Sequence, residues 1–127
     1  MSIDAIMEAS RSGLNYERLR LEAASRNIAG ANTPVAPGSP ATRTDVSGFA
    51  GQLQGTVKVV EQPVDVRHVH DPGHPLADAS GQVAYPAVDM VREMTTLVSA
   101  SRGYEANVRA FNLLRGMMLK ALDIGAK

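Results

Sequence analysis

Residues 88–124 read VDMVREMTTLVSASRGYEANVRAFNLLRGMMLKALDI, and within them Met90, Leu97, Tyr104, Phe111 and Met118 recur every seven residues. A sustained seven-residue apolar repeat is the narrow seam of a coiled coil rather than the broad stripe of an ordinary surface helix. Met94, Val108 and Leu122 lie alongside it, and Val91 and Val98 widen the face. The spacing predicts one helix starting after Pro86, with Asp89 as N-cap, and ending near Gly125, the residue type expected just past a helix C-terminus. At ~1.5 Å per residue such a helix is on the order of 55 Å long. A compact domain of 127 residues is only about 36 Å across. The helix therefore overhangs any globule the rest of the chain can form.

A second seam lies at the other end of the chain, where Met7, Leu14, Leu21 and Ile28 repeat at the same interval. Ser2 is placed to cap this helix, and Asp4 in its first turn suits the positive end of the helix dipole. Asn32-Thr33-Pro34 is turn chemistry, so the helix is expected to stop near Gly30. Its second face, Ile3, Ser10, Glu17 and Ala24, is weak. A helix with one good seam and one poor one needs a partner to be stable.

Between the helices, Thr33 to about Gln54 is rich in Pro, Gly and small polar residues and reads as a loop. Thr56–Val60 and Val64–Val69 then have strand character, the second alternating at period two, with Gln62-Pro63 as the turn between them. A third short strand is expected over Gln82–Tyr85. The whole is read as one domain, residues 1–127: an N-terminal helix over 1–31, a loop and small β element over 32–86, and a C-terminal helix over 87–127. The fold class is mainly α with a small β element, the two terminal helices forming an elongated coiled-coil-like unit.

Composition excludes several functions. Thirteen basic and thirteen acidic residues cancel, so nothing favours a dedicated binder of nucleic acid or acidic membranes. There is no Cys, which removes disulfide scaffolds, thiol nucleophiles and thiolate metal sites. No stretch is apolar for long enough to span a membrane, and the start lacks the basic and apolar regions of a cleaved secretory signal. Three Tyr, two Phe and no Trp leave little to anchor a large core; Ala, Val, Leu and Met suit close helix packing instead. Gly103 and Gly116 sit inside the last helix at a cost of about 0.5–1 kcal/mol each relative to Ala. With Ser99, Ala100, Ser101 and Ala106 around the first, they are either neutral features of a tolerant helix or a groove for close approach of another helix.

The most conspicuous chemical cluster is His68-Val69-His70-Asp71-Pro72-Gly73-His74, which holds all three histidines. A catalytic zinc site needs three converging ligands and an open position, and Pro72 and Pro75 turn the chain away just after the strand. The expectation is a solvated turn and no metal. No phosphate loop, nucleophile elbow or paired His/Ser arrangement is present; the chain is expected to be no enzyme and to need no cofactor.

The stretch Leu19–Pro34, LRLEAASRNIAGANTP, resembles the N-terminal signature of bacterial flagellar rod and hook proteins, an alternation of small and apolar residues ending in Asn-Thr-Pro. Asp71–Ala79, Gly81 and Tyr85-Pro86, then Val88–Met94, Ser99–Val108, Phe111-Asn112 and Lys120–Leu122, resemble the proximal-rod members of that family, the C type. After Asn-Thr-Pro the family usually continues to a Tyr and basic residues; here the chain runs Val35–Arg43 with no Tyr. The resemblance implies a structural subunit of the flagellar basal body, in the periplasm-spanning rod. It implies export through the flagellar apparatus without signal cleavage, assembly with other rod proteins and with copies of itself, a wall around the export channel, and transmission of torque from motor to hook in motility. No nucleic acid partner and no membrane insertion are expected. The expected assembly interface is the two seams, Met7, Leu14, Leu21, Ile28, Met90, Leu97, Tyr104, Phe111 and Met118, together with Asn32. The alternative is a soluble coiled-coil adaptor or export chaperone.

Overall fold

In a computed structural model, which describes residues 2–48 and 57–126, the chain runs α1 (Ile3–Gly30), β1 (Thr42–Val46), β2 (Val59–Pro63), β3 (Val66–His70), β4 (Gln82–Pro86) and α2 (Met90–Gly125). It is mainly helical with a little antiparallel sheet. Both helices start where the sequence places them. The Ser2 hydroxyl accepts the Ala5 N–H at 3.3 Å and the Asp89 carboxylate accepts the Arg92 N–H at 3.1 Å, each satisfying a donor left open at a helix start. The C-terminus of α2 differs from expectation. Gly125 is its last residue and Ala126 closes it in right-handed geometry, so no left-handed glycine ends the helix.

The two helices pack antiparallel. Asn27 meets Glu93, Glu17 meets Gly103 and Gly13 meets Asn107, and the numbers in each facing pair sum to 120. This constant register carries Ile6 to the level of Leu114 and Ile3 to that of Met117. The buried hydrophobic residues are almost all small: Ala23, Ala24, Ala31, Ala41, Val83 and Ala100. Small side chains bring the backbones close but remove little apolar area from water, at about 25 cal/mol per Å².

The β element departs from the sequence reading in three ways. Thr42–Val46, inside the stretch read as loop, is a strand and pairs with β2 from Thr42↔Pro63 to Val46↔Val59. The strand read over Thr56–Val60 is β2, Val59–Pro63, so Gln62 and Pro63 are strand rather than turn; Thr56 lies outside the described residues. Pro63 is tolerated because it ends the ladder of a two-stranded sheet, where its missing N–H costs no interior bond. The strand read over Val64–Val69 is β3, Val66–His70, and it pairs with β4 rather than β2, from Val66↔Pro86 to His70↔Gln82. The chain turns at Val64-Asp65 and is tied on both sides: Val64 N–H donates to Ala41 and Ala87 N–H to the Asp65 carbonyl.

Candidate assembly surfaces

Where α1, β1 and α2 meet, the interior is polar. Glu93 is 1% exposed, and both its oxygens are engaged: Oε1 accepts from Arg43 Nε at 2.6 Å and Oε2 from Asn27 Nδ2 at 3.2 Å. Asn27 imitates a strand neighbour, its Nδ2 donating to the Thr44 carbonyl and its Oδ1 accepting the Thr44 N–H, both at 2.8 Å. One amide side chain thus pairs the free edge of β1 to a helix. Arg43 also reaches Asp45 at 3.2 Å. Its hydrogen bond to Glu93 is the main reason its pKa is held above the usual guanidinium value, against the opposing effect of burial. No buried side-chain nitrogen or oxygen among the described residues lacks a partner, as a polar interior requires.

Farther along the helices the approach is close. A Cβ added at Gly103 would stand 2.8 Å from Cδ of Glu17, and one at Gly13 would stand 3.1 Å from Nδ2 of Asn107. Gly103 is therefore the groove for a neighbouring helix, whereas Gly116 has nothing within 4 Å of its added Cβ. Glu17 in turn holds Arg20 at 2.9 Å, and Arg20 stacks on Tyr16.

The helix-to-helix contact thus runs through Gly13, Glu17 and Asn27 on one side and Glu93, Gly103 and Asn107 on the other, with Ala100 buried along the same line of α2. The apolar seams read from the sequence lie beside this line. Met7, Leu14, Leu21 and Ile28 each follow the contact positions by one residue, about 100° around the helix, and are half-buried. Met90, Leu97, Phe111 and Met118 are also half-buried, Tyr104 is more open, and Asn32 is exposed. Beyond them α2 carries large apolar residues in the open: Val91, Met94 and Val98 on its upper half, and Leu113, Met117, Leu119, Leu122 and Ile124 on its lower half. The polar contact was missed because a buried Glu or Asn carries no apolar signal, although Glu93, Ala100 and Asn107 stand seven residues apart.

The histidines take up ordinary positions. His68 and His70 are exposed on β3, and His74 Nδ1 accepts the Leu76 N–H at 3.0 Å. Among the described residues no group of His, Cys, Asp and Glu is placed to hold a metal ion. The following turn is organised by Asp78, whose carboxylate accepts the Gln82 N–H, the Ser80 hydroxyl and the Ser80 N–H. These bonds, that from Gln82 foremost, hold its pKa below the ordinary carboxylate value. Gly81 closes the turn at φ +76°, with Pro72 Cγ 3.1 Å from where a Cβ would sit, so this position favours glycine twice over. Replacing His68, His70 and His74 together with Gln is expected to leave the far-ultraviolet dichroism and thermal unfolding of the purified protein unchanged. Stoichiometric zinc in the unaltered protein, lost with function in the triple variant, would be the contrary result.

A chain with a small-residue interior and apolar helix faces turned outward is a subunit of a larger structure, and comparison with known proteins says which. Residues 79–124 match the family described as flagellar basal body rod FlgEFG protein C-terminal. Over its full length the chain is similar to flagellar basal-body rod proteins FlgC. The protein of Salmonella typhimurium is 38% identical over 98% of this chain and 99% of its own length. That of Bacillus subtilis is 36% identical over 94% and 95%, and that of Aquifex aeolicus 30% identical over 97% of each. The chain belongs to the FlgC family of flagellar basal-body rod proteins. A free coiled-coil adaptor is not favoured beside relatives of this kind, and among the described residues no helix is long and apolar enough to cross a membrane.

Proposed function

We propose that the chain is a non-enzymatic structural subunit of the proximal rod, built into a helical wall with copies of itself and with other rod proteins. The observation that supports this most directly is the placement of apolar side chains. The helix pair spends its small residues inside and leaves Val91 77% exposed, Leu113 66% and Ile124 77%. Apolar area on this scale marks surfaces meant for protein contact. In this reading the flanking seams, Met7 to Ile28 and Met90 to Met118, with Asn32 at the end of α1, are covered by neighbouring subunits. The rod then carries torque from motor to hook and encloses the export channel, and the subunit reaches it through the flagellar export apparatus with no signal removed.

Phe111→Asp tests this. Phe111 is half-buried beside the helix contact, and burying such a side chain is worth about 1.5–3 kcal/mol; a carboxylate in its place would meet a neighbouring apolar surface uncompensated. Cells carrying the variant are expected to make and export the protein, yet to lack hooks and motility. Normal swimming would refute the assignment of this seam to assembly.

A further inference from the structure

We infer that Asn27, Arg43 and Glu93 are a register selector: they hold the helix pair against a competing alignment one heptad away, in which α1 slides along α2 and covers its apolar tail. The apolar seams cannot make this choice. Met7, Leu14, Leu21 and Ile28 on α1 and Met90 to Met118 on α2 repeat every seven residues, so a slide of seven exchanges each apolar neighbour for another. In the slid alignment facing numbers sum to 127, which is 7 more than the 120 of the observed pairs. Nothing clashes there, since Ala24 comes opposite Gly103 and Gly13 opposite Leu114.

Burial of apolar surface by itself favours the slide. The stretch of α2 that would lose its cover, Met90–Thr96, contains Arg92, Glu93, Thr95 and Thr96; the stretch brought level with α1, residues 118–124, contains Met118, Leu119, Leu122 and Ile124. Met117 and Ile124 continue the line of Gly103 at intervals of seven and are 60% and 77% exposed. What opposes the slide is the polar junction. Moved by seven, Asn27 faces Ala100, which is fully buried and offers an amide nothing, and an unpaired buried amide is costly. Asn27 also leaves Glu93 and the two backbone groups of Thr44 that it pairs at 2.8 Å. Glu93, held at 2.6 Å by Arg43, comes level with position 34, beyond the end of α1. A buried polar group that fixes alignment at some expense of stability is a known device of paired helices. Here it keeps the tail of α2 uncovered.

The chain has no cysteine, so introduced disulfides report the alignment in dilute purified protein. Ser10 lies one heptad before Glu17 and Ala110 one heptad after Gly103, so Ser10→Cys with Ala110→Cys reports the observed alignment. Ser10→Cys with Met117→Cys reports the slid one. The two differ by about 10 Å along the axis, and bridged Cα atoms lie within about 7 Å, so neither pair reports both. With the junction intact, oxidation should close the first pair within the monomer and leave the second open. Asn27→Leu, Arg43→Met and Glu93→Leu together should shift closure toward the second pair about tenfold, with helical circular dichroism retained. Asn27→Leu with Glu93→Leu, which leaves Arg43 its Asp45 partner, should shift it in the same direction and serves if the triple variant does not fold. Closure of the first pair alone in a folded variant would overturn the selector, as would closure of the second pair with the junction intact. Loss of helicity in both variants would overturn it too, since the seams would then sustain no second alignment. None of these outcomes touches the rod reading, which concerns the assembled structure.

Discussion

Arg43→Ala is expected to destabilise the folded subunit by about 3–5 kcal/mol, the usual cost of leaving a buried ion without its partner. Glu93 sits almost wholly out of water at 2.6 Å from the guanidinium, and Asn27 alone cannot compensate a full negative charge. The loss should fall on three elements together, since Arg43 is in β1, Glu93 in α2, and Asn27 ties both to α1. Denaturant unfolding of the purified protein measures it. The double variant Arg43→Met with Glu93→Met should recover most of the loss, because two apolar side chains replace two charges with none left unpaired. A loss under about 1 kcal/mol for Arg43→Ala would mean that water reaches Glu93 and that the polar junction is not a lock.

Gly103→Leu is expected to push the helices apart and to abolish motility, at a cost near the upper end of about 1–3 kcal/mol for overpacking. An added Cβ already meets Glu17 at 2.8, 2.9 and 3.1 Å, and a leucine extends farther along the same line. Glu17 is not free to leave without cost, since it is the partner of Arg20. Gly103→Ala should be close to neutral, because Glu17 can swing by a few tenths of an ångström and alanine gains about 0.5–1 kcal/mol of helix propensity over glycine. Gly116→Leu, in open space, is the control and should leave stability unchanged or slightly raised. Equal losses at both glycines would show that helix propensity, and not close approach, decides them.

Both helices, their N-caps and their approximate ends were legible, because periodicity, Ser2, Asp89 and Asn32-Thr33-Pro34 are local signals and the structure obeys them; the glycine expected just past α2 is instead its last residue. Which face meets which was not legible. The seven-residue apolar repeats pointed to Met7 and Leu97, but the closest contact takes Gly13, Glu17 and Gly103, since backbones approach where side chains are small. The strand at Thr42–Val46 was hidden for a related reason: its pairing depends on β2 and on the Asn27 amide, 17 residues earlier in the chain, and neither lies within any local window. The β3–β4 pairing was likewise obscured, because adjacency in sequence suggested a hairpin between the two middle strands, whereas β2 is claimed by β1 before it and β3 by β4 after it. The uncovered tail of α2 is legible only from the register, which decides how far α2 outruns α1.

That register also sets an order in time. A constant sum of 120 means that the earlier residues of the chain answer to the later: Asn27 waits for Glu93, Glu17 for Gly103 and Gly13 for Asn107. During synthesis, which proceeds from the N-terminus, the first helix has only β1 to pack on, through Asn27 and Thr44, until α2 has been made. Once Asn27, Arg43 and Glu93 have met, each further pair encloses only a few more residues, and the added closure entropy per pair is small. The molecule therefore behaves like a zip with its slider at the polar junction and its teeth closing toward the two termini. The slow step is the meeting of residues 66 positions apart, and contacts of that separation govern folding speed more than helix strength does.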